Sequence, residues 1–254
     1  MSSIWNTGDM HGDPTRLHAD FWKKFKLTGG QDQNFVIVNG DFGLVWNSPC
    51  EDKNEANWLN WLEGKKFTTL WCDGNHENYD RLNSSEYPIQ EWHGGKVQFI
   101  RPHVIHLMRG EVYDILDRKF FVFGGAKSHD IRDGILDPKE DKKKIKAWNK
   151  DETKLFRVNH VSWWKEELPS EEEKQNGIRN LALNNNKVDF IISHGAPQMA
   201  TAMMGFFEKD DLSRYLNMIA ETVDFKDWYF GHYHVDMDIM CKFHCRYKRI
   251  ERIV

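Results

Sequence analysis

Short apolar runs separated by helical patterns constrain this chain more than any other feature. Ile4-Trp5-Asn6-Thr7 is the first run. Asp13-Pro14 then opens a helix, with the aspartate as cap and the proline in the first turn. Leu17, Phe21, Trp22 and Phe25 give that helix one apolar face. Phe35-Val36-Ile37-Val38 reads as a buried strand. A second helix follows, with Trp58, Leu59, Trp61 and Leu62 as its stripe and Gly64 as its stop, and Phe67 to Trp71 is the third strand. Strand, helix, strand, helix, strand predicts parallel pairing through right-handed crossovers.

The pattern changes from Val97 to Phe123, where β-rich runs follow one another with no helix between them. They predict either a meander in a second sheet or a mixed extension of the first. Residues 128–168 are charged and irregular. Ser170 and Glu173 form a capping-box pair that starts another helix. Val188 to Ile192 reads as a buried strand, Asp211 to Ile219 as a helix, and Trp228-Tyr229-Phe230 as a short strand. The tail from Asp238 to Val254 is expected to close the sheet.

At 254 residues the chain can bury a sizeable core as one domain, and no Ser-, Gly- or Pro-rich run divides it. A formal charge of −4 supplies no global basic field for gripping nucleic acid. Cys50, Cys72, Cys241 and Cys245 contain no paired C-x-x-C set and read as free thiols of a reducing compartment. No basic region followed by an apolar stretch marks a signal peptide, and no apolar run approaches the roughly 18 residues that span a bilayer. A cytoplasmic protein with no membrane partner is the expectation.

Five clusters of polar residues lie at or near strand ends: Gly8-Asp9-Met10-His11-Gly12, Gly40-Asp41, Gly74-Asn75-His76-Glu77, Ser193-His194-Gly195 and Gly231-His232-Tyr233-His234. Ligands bind outside the carboxyl ends of strands in open α/β sheets, so loops far apart in sequence can converge there. Asp, Asn and His together offer hard oxygen and imidazole nitrogen, which suits manganese, iron, zinc or nickel better than calcium or a thiolate site. Asp9 and His11, like His232 and His234, are two residues apart, and in an extended segment both members of a pair point the same way. Asp9, His11, Asp41, Asn75, His194, His232 and His234 are too many ligands for one tetrahedral ion. They fit two ions if one carboxylate is shared.

This ordered set (GDMHG, GD, GNHE, SHG, GHYH) resembles the calcineurin-like metallophosphoesterase family over residues 8–234. The resemblance implies a single-domain α/β fold, a four-layer sandwich of two mixed β-sheets flanked by helices. It implies that Asp9, His11 and His234 hold one divalent ion, that Asn75, His194 and His232 hold a second, and that Asp41 bridges both. Manganese is the expected metal. His76 would face the substrate as the catalytic acid, with Asp41 the other catalytic position.

One departure bears on substrate. The protein-phosphatase branch of that family continues its second motif into a phosphate-contacting Asp-Arg-Gly, whereas Asp41 is followed here by Phe42-Gly43-Leu44-Val45. Arg132 and Arg101 are the replacement candidates. Glu77 reads as a supporting or turn residue and Asp73 as a loop acceptor. Phe42 and Trp46 are equally readable as walls of the site or as core. Trp163-Trp164 reads as packing, and Lys142-Lys143-Lys144 as a solvated surface. In Cys241-Lys242-Phe243-His244-Cys245 the alternation places both cysteines on a core face. Residues 126–170, long for a connection, form a candidate lid or specificity insertion.

The expected chemistry is hydrolysis of a phosphate ester by a hydroxide that the dinuclear centre activates, as a small-molecule or nucleotide phosphatase or phosphodiesterase. A nuclease on the same centre is one alternative and a non-catalytic metal-binding scaffold another. A small phosphorylated substrate is favoured over nucleic acid.

Overall fold

The computed structural model describes residues 2–23, 25 and 27–254, with Phe21 described by its backbone alone. Six strands of the first half are β1 (Ser3–Thr7), β2 (Asn34–Val38), β3 (Thr68–Trp71), β4 (Ile89–Trp92), β5 (Gly95–Arg101) and β6 (Val104–Leu107). They are followed by β7 (Glu111–Ile115), β8 (Arg118–Phe123), β9 (Gly134–Leu136), β10 (Phe156–Val158), β11 (Phe190–Ser193), β12 (Asp227–Phe230), β13 (Met237–Ile239), β14 (Phe243–Cys245) and β15 (Glu251–Arg252). The helices are α1 (Ala19–Lys23), α2 (Lys53–Glu63), α3 (Tyr79–Leu82), α4 (Lys142–Trp148), α5 (Glu171–Leu183), α6 (Gln198–Met203) and α7 (Asp211–Thr222).

One large sheet runs β15-β1-β2-β3-β6-β5-β4 and a second β13-β14-β12-β11-β8-β7, while β9 and β10 pair in a small sheet of their own. The pairs β1–β2, β2–β3 and β3–β6 are parallel, as are β8–β11, β11–β12 and β12–β14. Antiparallel strands finish the edges. The helix-free stretch from Val97 to Phe123 serves both sheets, because β5 and β6 extend the first while β7 and β8 belong to the second. The tail likewise edges both: β13 and β14 join the second sheet, and β15 pairs with β1 in the first.

Period-two alternation explains the layering. Ile4, Phe35, Ile37 and Leu70 point inward from the first sheet and share one core with Phe120, Val122, Phe190, Ile192 and Tyr229 of the second. Their neighbours Trp5, Val36, Val38 and Trp71 point the other way and pack with Leu59 and Leu62 of α2. On the far side Phe121, Phe123, Ile191, Trp228 and Phe230 pack with Leu181 of α5 and with Leu212, Leu216 and Ile219 of α7. Both faces of each central strand are therefore covered, which is why these strands read as unbroken apolar runs. The result is the expected four layers.

Two local expectations fail. Asp13-Pro14 does not open a continuous helix: Thr15–Leu17 is a single 3-10 turn, His18 is extended, and α1 begins only at Ala19. Arg16 anchors that turn by donating to the carbonyls of Gly8, Asp9 and Tyr247. Leu17 and Trp22 are buried as expected and Phe25 is largely exposed, while the side chain of Phe21 lies outside the described residues. Cys245 is buried but Cys241 is exposed, because Met240 and Cys241 form a left-handed turn before β14 that breaks the alternation. The capping box of Ser170 and Glu173 is present at α5.

Candidate metal centre

The loops leaving β1, β2, β3, β11 and β12 meet at one edge of the two sheets and bring Asp9, Asp41, Asn75, His194 and His232 into mutual reach. The backbone there is held away from its ordinary minima. His11, Asp41, His232 and His234 have φ of 48°, 45°, 71° and 52°, in the left-handed region that side chains other than glycine rarely adopt. Such conformations persist where the surroundings over-determine them, and they concentrate at functional sites. The paired residues thus converge through tight turns and not through the extended segments their spacing suggested. His232 and His234 consequently face two different groups of donors.

In the first group, donor atoms of Asp9, His11, Asp41 and His234 lie within 4.8 Å of one another. His11 Nε2 is 2.9 Å from His234 Nε2, and His234 Nε2 is 3.2 Å from Asp9 Oδ2. In the second, His194 Nε2 is 3.2 Å from Asp41 Oδ1 and 3.2 Å from Asn75 Oδ1. The His232 ring centre stands 5.0 Å from that of His194. Asp41 belongs to both groups, since its other oxygen is 3.8 Å from His11 Nδ1. Gly74 and Gly231 are required by this crowding: a Cβ on Gly74 would lie 2.1 Å from Asp41 Oδ1, and one on Gly231 would lie 2.1 Å from Asp9 Oδ1.

Asp9 and Asp41 are buried, and among the described residues no Lys or Arg bonds their carboxylates. Burial opposes ionisation of Asp41, but His194, His76 and His11 around it hold its carboxyl well below the usual range. Burial likewise opposes protonation of His194, yet Asp41 and then Asp9 lift it to about 9. A hydrogen bond with Asp9 raises His234. Burial pushes His11 down, and burial with His194 and His129 alongside pushes His232 well down. The centre therefore demands positive charge, and protons on imidazoles are what the bare side chains offer. His194 Nδ1 is 2.7 Å from the carbonyl of Asn39, a contact that assigns its proton there. Its Nε2 converges with the acceptors Asp41 Oδ1 and Asn75 Oδ1 on one point, where the bare side chains have only the second imidazole proton to place. A cation resolves that convergence, and the donor set of carboxylate, amide oxygen and imidazole suits a divalent transition metal. The residues fit the metals that the sequence pattern implies.

Surrounding groups fix the donors. Glu77 accepts from the backbone N–H of Phe42 (2.7 Å) and Gly43 (3.3 Å), pinning the loop that presents Asp41. Asp9 accepts from the N–H of His232 at 3.0 Å. Asn75 Nδ2 donates to Ser128 Oγ, which donates in turn to Glu167 Oε2 at 2.6 Å. Phe42 is fully buried and stacks on Trp71, so it is core. Trp46 lies over His76 and walls the site. Trp164 is buried against Trp46, and Lys142, Lys143 and Lys144 are exposed on α4.

Above the donors opens a cleft of about 290 Å³, lined by Asp41, Asn75, His76, His129, Asp130, Arg157, Phe206, His232, Tyr233 and His234. His76 borders it, its backbone N–H donating to Asp41 Oδ1 at 2.8 Å. Burial, with Arg157 and His11 adding to it, draws the His76 imidazole down to about 4. Neither Arg132 nor Arg101 lines the cleft. Arg132 is exposed beside Asp133, and Arg101 pairs with Glu51 and Asn60. The arginine at the cleft is Arg157 on β10, which no motif in the sequence marks. His129 sits 3.1 Å from His232 and 3.0 Å from Glu208; its place after Gly124-Gly125 at the end of β8 was the available signal.

The chain matches the profile of the calcineurin-like phosphoesterase family over residues 2–236, and no curated protein matches it. It belongs to that family, whose members are metal-dependent phosphoric ester hydrolases with a dinuclear divalent centre. No helix among the described residues is long and apolar enough to cross a membrane.

Proposed function

We propose that this calcineurin-like phosphoesterase hydrolyses a small phosphorylated substrate, as a phosphatase or phosphodiesterase of small molecules or nucleotides. The observation that carries the reading is the pair of donor groups sharing Asp41 at the foot of one cleft. Asp9, His11 and His234 would hold one divalent ion, Asn75, His194 and His232 the other, and Asp41 both. Such ions supply charge neutralisation on phosphoryl oxygens and a water-derived nucleophile near neutral pH. The donor set favours manganese, with iron, zinc or nickel as alternatives.

Among the described residues no Ser or Cys lines the cleft, so it offers no hydroxyl or thiol nucleophile of the serine or cysteine kind. In this reading water is the attacking oxygen, entering in line with the bond that breaks. The leaving oxygen departs with the electron pair and takes a proton; His76 at the cleft wall would supply it in its protonated form, which the negative charge of a bound phosphoryl group favours over the neutral resting imidazole. Asp41 positions His76 through the backbone N–H. A single Lys or Arg at the cleft, among the described residues, supports a small substrate over a polynucleotide, which needs several phosphate contacts. Residues 126–170 supply one wall and are proposed as the specificity element. Exposed, unpaired Cys50 and Cys241 support a reducing, cytoplasmic setting.

The test is a substrate panel on metal-stripped protein reloaded with manganese: a phosphomonoester, a phosphodiester, nucleotides, and single-stranded DNA at two salt concentrations. Metal-dependent turnover of a small ester is expected. Turnover that survives stripping, or DNA cleavage exceeding that of every small ester, would sink the reading.

A further inference from the structure

Arg157 is the only Lys or Arg, among the described residues, that lines the cleft above the donor groups. It arrives from outside the five motifs. β10 pairs in parallel with β9, setting Arg157 opposite Ile135. The turn behind it closes when the N–H groups of Val161 and Ser162 donate to the carbonyl of Val158, and Ser162 Oγ accepts from Val158 N–H. The Arg157 side chain is only 15 % exposed, so its aim is fixed.

The partners of that guanidinium are informative. Nη1 donates to the Ser162 carbonyl at 3.3 Å, and Nη2 faces His76 Nε2 at 3.1 Å. Nε donates to Asp130 Oδ2 at 2.8 Å, and Nη2 lies 2.6 Å from the same oxygen. Asp130 is 44 % exposed and also lines the cleft. One carboxylate oxygen thus sits between the Nε and Nη2 donors, a place that an oxygen of a phosphoryl group can take, because both are anionic acceptors of the guanidinium N–H groups. A half-exposed aspartate is a weak competitor, since ion pairs open to water contribute little.

We propose that Arg157 binds the phosphoryl group of the substrate, and that Asp130 is its resting counter-ion, displaced by that group. The assignment rests on the phosphoesterase reading above and specifies which residue of this chain anchors the anion. Displacement of Asp130 frees the Nε and Nη2 donors, already aimed at the cleft, for a phosphoryl oxygen. His76 lies beside them, so the anchored group is held next to the residue that serves the leaving oxygen.

Calorimetric titration of inorganic phosphate into manganese-loaded protein tests this, alongside KM and kcat for a phosphomonoester. Arg157→Gln should weaken phosphate binding and raise KM roughly ten- to hundredfold, the loss of a charge-assisted hydrogen-bond pair. Arg157→Lys should recover part of the loss, since it keeps the charge but not the fork. Asp130→Asn should tighten phosphate binding severalfold. Phosphate affinity unchanged in Arg157→Gln would overturn the assignment, as would wild-type protein that binds no phosphate. An Asp130→Asn variant weakened like Arg157→Gln would overturn the counter-ion role, showing that Asp130 only positions the arginine. If wild type turned over no ester while Arg157→Gln still lost phosphate binding, the hydrolytic reading would fail and the anion site would stand.

Discussion

His11 Nε2 and His234 Nε2 lie 2.9 Å apart although 223 positions separate them in the chain. Two imidazole nitrogens meet at that distance only if one carries a proton or both face a cation. Asp9, 3.2 Å from His234, supplies the negative charge that favours either outcome. His234→Ala should therefore leave the protein folded but lower its manganese content from two ions per chain to one, read by elemental analysis. The same variant should lose part of the thermal shift that manganese gives wild type, a stabilisation of about 2.7 kcal/mol per site when free metal is a hundredfold above its dissociation constant. An unaltered metal content would exclude His234 as a ligand.

Gly74 tests the packing that holds the bridge. A methyl group there would meet Asp41 Oδ1 at 2.1 Å, and the contact cannot be relieved without moving the carboxylate. Gly74→Ala introduces no charge and removes no ligand. It should nonetheless abolish most metal binding and slow turnover by on the order of a hundredfold. Near-normal kinetics would mean that the Asp41 loop is looser than the structure shows.

Ser128 acts at one remove. It accepts from the side-chain amide of Asn75 at 3.4 Å and is itself fixed by Glu167. Ser128→Ala should free the Asn75 side chain to rotate and weaken one ion of the pair by roughly ten- to hundredfold, as outer partners of metal ligands do. A competition titration against a metal-chelating dye would report it. Binding of both ions at wild-type strength would remove Ser128 from the account.

Acid sensitivity should come in part from the tail. Hydrogen bonding to His244, with Arg246 adding to it against a small cost of burial, draws Asp238 down to about 2. A carboxyl depressed by folding contributes stability that is fully present above its ordinary value near 4 and is lost as the pH falls toward 2. Asp238→Asn should therefore flatten the acid limb of a stability curve between about pH 4 and 2, followed by denaturant unfolding. Parallel curves for variant and wild type would contradict this. Because Asp238 is half exposed, the effect is expected to be small.

Much of this site is legible in the sequence because its parts are local. A buried strand is recognisable from its own residues, and each of the five clusters sits at or near a strand's carboxyl end. The same local signals gave α2 with its Gly64 stop and the capping box at Ser170. What escaped was set by distant partners. The runs from Val97 to Phe123 look alike in sequence, and only tertiary packing assigns β5 and β6 to one sheet and β7 and β8 to the other. Arg157 lies in a charged stretch without period, and its aim comes from pairing with β9 and from Asp130. The left-handed turns at His11, His232 and His234 leave no trace in residue type, so spacing alone suggested extended pairs.

Manganese titrated into metal-free protein, with bound metal and phosphomonoester turnover measured on the same samples, tests the central claim most directly. Two ions should bind per chain, with turnover rising only as the second is taken up, and Asp41→Asn should hold fewer than two and be inactive. Full turnover without metal or with a single ion per chain, or an Asp41→Asn variant that matches wild type in both readings, would contradict a dinuclear centre bridged by Asp41.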